Sequence, residues 1–235
     1  MKLTHITFTG IDTKTDLQRV ERLNKKYPYA EFGVLISMDW FFNGNRFPNP
    51  EIFFELEKYN INLSAHMCGS IARDAVKGNF SGVVLLNPSK KYDMFRRYQL
   101  NVDAEGKFSD LRNLRLSCLS VDEVIIQMKR PDCCRHFTES GDIPDKMAFL
   151  LDASGGTGKD TPIQIITHPD VHIGYAGGIG PDNVESKLKT LLSYPSDDHF
   201  WIDMESRIRT NDWLDLDKVE RVLDICDPLI REYNI

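Results

Sequence analysis

The stretch FLLDASGGTGK, Phe149–Lys159, is an apolar run that ends in Asp152 and passes into Gly155, Gly156, Gly158 and Lys159. A second stretch, IGYAGGIGPDNV, Ile173–Val184, repeats the pattern: an apolar run, then Gly177 and Gly178, then a helix start. Each reads as a strand, a tight turn and a helix. Glycines let backbone N–H groups approach an anion closely, and a helix N-terminus favours its charge. Two such turns on successive strands are what a sugar-phosphate site in a βα barrel requires.

Working outward, apolar runs and helical patterns alternate along the chain. The expected strands are His5–Phe8, Phe32–Ser37, Ile61–His66, Tyr98–Val102, Val124–Met128, Ala148–Asp152, His172–Gly177 and His199–Met204. Thr13 with Asp16 resembles a capping box opening a helix with Leu17, Val20 and Leu23 on one face. Asn49 and Pro50 read as an N-cap and first helical residue, with Ile52, Phe53 and Leu56 inward. A short helix is expected from Ser70 to Val76, and one striped by Leu111, Leu114 and Cys118. Val184, Leu188 and Leu191 stripe the penultimate helix; Leu216, Val219, Leu223 and Cys226 stripe the last. Eight strand–helix units with nearly continuous apolar strands imply a parallel sheet covered outside, which closes naturally into a (βα)8 TIM barrel. A doubly wound open sheet is the alternative. No linker, low-complexity tract or repeat interrupts the pattern, so residues 1–235 are expected to form one domain.

The 235-residue length suits such a barrel, which typically takes about 250. Hydrophobic residues make up 41% and charged residues 27%, enough for a large core. A net charge of −6 argues against nucleic acid or an anionic membrane as main partner. No apolar run approaches the roughly 18 residues of a membrane span. The opening MKLTHITFTG lacks the apolar core of a signal peptide, so a cytoplasmic location is expected. The five cysteines, Cys68, Cys118, Cys133, Cys134 and Cys226, match no disulfide or zinc pattern. No metal site is expected, and Cys133–Cys134 beside Arg135 and His136 reads as packing.

In a barrel the chemistry gathers at the C-terminal strand ends. Those ends carry Thr9 and Asp12; Ser37 and Asp39, with Arg46 beyond; His66 and Cys68; Asn101 and Asp103; Gln127 and Lys129; Asp152; Gly177 and Gly178; and Asp203 to Arg209. Acids and bases alternate around one mouth, which fits an anionic small molecule. Asp152 is the foremost candidate, since a carboxyl ending an apolar run is partly desolvated and suited to acid/base work. A helix cap or a salt bridge is its plainer reading. GGTGK lacks the spacing of a nucleoside-triphosphate loop. His66 reads as an acid/base, a metal ligand or a satisfied buried histidine. Lys129 could bind a substrate carboxylate or form a Schiff base; an ion pair with Asp152 or Glu205 is the preferred reading. Trp40, Phe41 and Phe42 could wall a planar ligand or anchor a loop.

LLDASGGTGK (Leu150–Lys159), AGGIGPDNV (Ala176–Val184) and WIDMES (Trp201–Ser206) resemble phosphoribosylanthranilate isomerase. YQLNV (Tyr98–Val102) is similar to the family's VQLHG, and TGIDTKTDL (Thr9–Leu17) to its CGITNLEDA. The resemblance implies a (βα)8 barrel without metal or cofactor, which isomerises an aminoaldose phosphate to an aminoketose by an Amadori rearrangement. It makes Asp152 the general acid and puts Gly156, Gly177 and Gly178 at the phosphate. It puts Arg46, in NRFPNPE, near the substrate carboxylate. The family's general base, a cysteine, has Thr9 in its place, and an unassisted hydroxyl is far less acidic than a thiol. The family's Ser-Gly pair after strand 8 becomes Ser206–Arg207, and an arginine there could bind phosphate or fill the site. Asp12, Cys68 and Glu205 are the candidate substitute bases. The expected partner is a small phosphorylated sugar, with a homodimer as the oligomer entertained.

Two other readings compete. ISMDWFFNGNRFPNP and LSAHMCG echo the strand-2 and strand-3 ends of ribulose-phosphate epimerase, through Asp39 and His66. That family's remaining ligand and acid positions fall on Val34, Ile36 and Ala176, which can do neither task. The other reading is a non-catalytic barrel that binds a phosphorylated metabolite.

Overall fold

The computed structural model describes residues 1–37, 45–79, 81, 94–102, 121–132 and 143–233. Eight strands form a closed barrel in sequence order: β1 Lys2–Thr9, β2 Ala30–Ile36, β3 Leu63–Met67, β4 Phe95–Leu100, β5 Glu123–Met128, β6 Met147–Asp152, β7 Ile173–Ala176 and β8 His199–Met204. All neighbours are parallel, and β1 closes on β8 through Ile6 opposite Ile202 and Phe8 opposite Met204. The open-sheet alternative is thereby excluded.

Five α-helices are described: α1 Leu17–Lys26, α2 Glu51–Leu56, α3 Gly69–Val76, α4 Val184–Leu192 and α5 Leu216–Tyr233. Their apolar stripes are buried as the spacing predicts, including Val20, Leu56, Leu188 and Leu223. The caps differ. Asp16 itself caps α1 by accepting from Arg19 N–H, because Thr13 lies too far upstream to reach the first turn. Helix α2 begins one residue later than expected, and no side chain caps it. The expected helix through Leu111, Leu114 and Cys118 lies outside the described residues, as do Asp39, Trp40, Phe41, Phe42, Asp103 and Cys133 to His136.

Alternation along each strand sends one set of side chains to the helices and the other into the barrel. The outward set forms the large apolar core; a separate cluster of Ile125, Ala148, Leu150 and Trp201 fills the barrel's middle. Gly174 makes room for Trp201, whose ring occupies the space a β-carbon there would need.

Below Trp201 the interior is charged. Arg97 bridges Glu31 at 3.1 Å and Glu123 at 2.9 Å, and its guanidinium lies 4.3 Å from the Trp201 ring centroid. Thr7 donates to Glu31, and His172 Nδ1 meets Glu123 at 2.6 Å. Burial opposes ionisation of Glu31, but Arg97, His5 and Thr7 outweigh it and lower its pKa. Burial likewise opposes ionisation of Glu123, yet the His172 bond and Arg97 hold its carboxyl down at about 2.

Candidate functional site

The C-terminal end of the barrel holds a cavity of about 150 Å³. Its floor is built from inward side chains of the last strand turns: Thr9, His66, Gln99, Gln127, Asp152 and Asp203. Its rim is the glycine turns after β6 and β7, with Ser206 and Arg207 from a 3-10 turn after β8. The fold thus brings together Asp152, Gly156, Gly177, Gly178, Ser206 and Arg207.

Asp152 occupies the end of β6 and is buried. Its Oδ1 accepts from Ser154 N at 3.0 Å and Ser154 Oγ at 2.7 Å. Its Oδ2 accepts from Gly156 N at 2.6 Å and Gln127 Nε2 at 2.9 Å. The carboxylate therefore folds the glycine turn back upon itself, and the Gly156 N–H points at Asp152. Gly177 and Gly178 have φ of 110° and 66°, conformations that side chains disfavour. Gly178 also has the Lys159–Asp160 backbone in the place of a β-carbon. Neither N–H is hydrogen-bonded to backbone among the described residues. Asn183 fixes the turn, accepting from Gly180 N and donating to Gly178 O.

Across the floor runs a hydrogen-bonded chain. Thr9 Oγ1 donates to Asp203 Oδ1 at 3.0 Å. The His66 ring nitrogens lie 3.4 and 3.5 Å from Thr9 Oγ1, and Nε2 lies 3.1 Å from Ser64 Oγ. Gly33 clears the space: a β-carbon there would stand 2.7 Å from His66 Nε2 and 2.9 Å from Thr9 Oγ1. Burial drives the His66 pKa down to about 4, with Arg97 adding to it and Glu31 opposing, so the ring is neutral at physiological pH. Burial pushes the Asp203 pKa well above the usual carboxylate range; Thr9 opposes, while Glu205, Glu31 and Asp152 add to the rise. Its Oδ2 and Gln99 Oε1 are buried without hydrogen-bond partners among the described residues.

Other expected residues stand apart from the floor. Arg46 is held by Glu205 at 2.6 Å and Asp212 at 2.7 Å, pinning the loop after β2 over the end of β8. Asp12 accepts from Leu214 N and pairs with buried Arg209 at 3.5 Å, a structural clasp between the barrel ends of β1 and β8. Cys68 is protonated: burial lifts its thiol to about 11, although Asn101 donates to the sulfur. The stem of Lys129 lies along Gly155. Arg207 Nε lies 3.4 Å from Gly158 O at the rim.

Strand-end reading passed over Gln99, which sits one inward step below Asn101, and the Arg97 network deeper still. Their mark in the sequence is a polar residue at alternate places in otherwise buried strands: Glu31 in AEFGVLI, Arg97 and Gln99 in FRRYQL, Glu123 in EVIIQM.

No protein-family model and no curated protein matches the chain. Solved structures do. N-(5'-phosphoribosyl)anthranilate isomerase from Pyrococcus furiosus is 17% identical, with a TM-score of 0.57 over 96% of this chain and 99% of that one. A truncated 3-deoxy-D-arabino-heptulosonate 7-phosphate synthase from Thermotoga maritima is 9% identical, with a TM-score of 0.56 over 98% of this chain and 88% of that one. D-Psicose 3-epimerase from Clostridium cellulolyticum H10, solved with D-tagatose, is 10% identical, with a TM-score of 0.51 over 99% of each chain. At these identities the likeness is one of architecture, and it agrees with the closed barrel: the chain has the (βα)8 fold.

Proposed function

We propose that the barrel mouth binds a small phosphorylated sugar and isomerises it between aldose and ketose forms. One observation carries this reading: a single cavity joins a rim of glycine turns and Arg207 to a floor of hydrogen-bonding side chains. The N–H groups of Gly177 and Gly178, with the Arg207 guanidinium, suit a phosphate. Gln99, Gln127, Thr9 and Asp203 suit the hydroxyl and carbonyl oxygens of a sugar. The similar structures, an isomerase of a phosphoribosyl compound and a sugar epimerase among them, support the ligand class.

Calorimetric titration with ribose 5-phosphate, ribose and inorganic phosphate tests the binding. Ribose 5-phosphate binds most tightly, and Arg207→Ala removes about 2 kcal/mol, the worth of a charge-assisted bond. Equal affinity for ribose with and without phosphate sinks the reading. Proton NMR in heavy water tests the chemistry, through exchange at the sugar C2, with phosphoribosylanthranilate as a second substrate.

A non-catalytic barrel is the second reading, favoured by the state of the candidate bases. Thr9 replaces a thiol, Cys68 holds its proton, and Asp12 is locked to Arg209. Tight binding of ribose 5-phosphate with no exchange and no turnover would select it.

A further inference from the structure

The floor holds two buried carboxyl groups, Asp152 and Asp203, in opposite situations. Asp152 accepts four hydrogen bonds, two at each oxygen. Its four lone-pair positions are matched by four donors of the protein. Asp203 lines the cavity and accepts one, from Thr9; its Oδ2 is buried and has no partner among the described residues. Across the floor, on β4, Gln99 Oε1 is a second buried acceptor without a partner among the described residues, and Gln99 also lines the cavity.

We propose that Asp203, and not Asp152, is the acid that meets the ligand, donating from Oδ2 to a carbonyl or ring oxygen while Gln99 Oε1 accepts from a ligand hydroxyl. Asp152 is then a positioning residue that shapes the turn at Gly156. Together the two suit a sugar that offers both an oxygen acceptor and a hydroxyl donor. The inference rests on the sugar-phosphate reading above.

The surroundings favour a neutral Asp203. Its own strand end offers Glu205; β2 offers Glu31 and β6 offers Asp152, all negative. From β3 comes neutral His66, and from β1 Thr9. The cation of β4, Arg97, is committed to Glu31 and Glu123 a layer below. Strands β5 and β7 bring Gln127 and Ala176, which carry no charge. Among the described residues that line the cavity, the positive group is Arg207, at the rim. In the transfer the Oδ2–H bond breaks as an O–H bond forms on the ligand, and the electron pair stays on Asp203. The resulting carboxylate is held by the Thr9 hydroxyl. Recovery of a proton from the adjacent ligand hydroxyl returns Asp203 to its starting state.

Infrared spectroscopy of the unliganded protein at pH 7 tests the proton. A protonated-carboxyl C=O band is expected in the wild type, fading as pH is raised. It is lost in Asp203→Asn and kept in Asp152→Asn. Its absence from the wild type overturns the inference whether or not a ligand binds, and this measurement needs no variant to fold. Exchange of ribose 5-phosphate then separates the roles. Asp203→Asn lowers the exchange rate about 100-fold, as loss of a general acid does, with affinity nearly unchanged. Asp152→Asn raises KM far more than it lowers kcat, because it loosens the turn. The reverse split overturns the assignment. If ribose 5-phosphate fails to bind the wild type while the band is present, the sugar-phosphate reading falls and the protonated Asp203 stands.

Discussion

The two halves of the barrel interior use the same inward-facing positions for opposite ends. In the lower half, Arg97, Glu31, Glu123 and His172 close on one another. In the upper half, Thr9, His66 and Asp203 form a chain that leaves one carboxyl oxygen, and the Gln99 carbonyl across the floor, without a partner among the described residues. A buried charge is tolerated where a counter-charge meets it, and a buried polar atom left unmatched costs stability. The lower network pairs its charges, and the groups it leaves over, Arg97 Nη2, His5 Nδ1 and Trp201 Nε1, are nitrogens. The groups left over in the upper half are oxygens at residues that line the cavity.

The sharpest way to break that contrast is to open the lower network. Arg97→Met leaves Glu31 and Glu123 facing each other in the interior, and should cost about 3–5 kcal/mol in urea unfolding. A loss below about 1 kcal/mol would mean that the lower half is no more committed to stability than the upper.

A pH series probes the same network with the sequence intact. Glu123 has a folded pKa near 2, below its ordinary 4.5. Its contribution is therefore fully present above pH 4.5 and is lost as pH falls toward 2. The shift corresponds to roughly 3 kcal/mol. Stability should fall across this acid window, and Glu123→Gln should flatten that part of the curve. An unchanged slope in the variant would remove Glu123 from the account.

The upper half should respond less in stability and more in binding. Gly178→Ala forces a side chain into a left-handed backbone conformation and against the Lys159 carbonyl. It should cost about 1–3 kcal/mol of stability, read from thermal melting, and abolish calorimetric binding of ribose 5-phosphate. A variant that binds as the wild type does would move the anion away from this turn.

All eight strands stand where apolar runs and turn residues predict them, because strand burial on both faces of a parallel sheet leaves a plain sequence mark. The glycine turns are equally legible, since Gly177 and Gly178 take conformations few other residues adopt. Local chemistry also misleads. Asp152 looks like a free acid at the end of an apolar run, yet the turn that follows it and Gln127 from β5 supply four donors. Arg46 looks like an anion receptor, yet Glu205 and Asp212, more than 150 residues on, are its partners. The Arg46 partners and Gln127 lie far along the chain from the residues they meet, whereas Ser154 and Gly156 stand beside Asp152.

The sequence by itself determined the alternation of strands and helices, the closure they imply and the two glycine turns, because each depends on residues close together along the chain. The tertiary structure alone decided which polar groups are spent and which are left over. Thr9 and Asp203 are 194 positions apart, and only the closing of β1 on β8 puts a hydroxyl against that carboxyl. Burial by the whole barrel, a property of no single segment, then pushes that carboxyl's pKa well above the usual range.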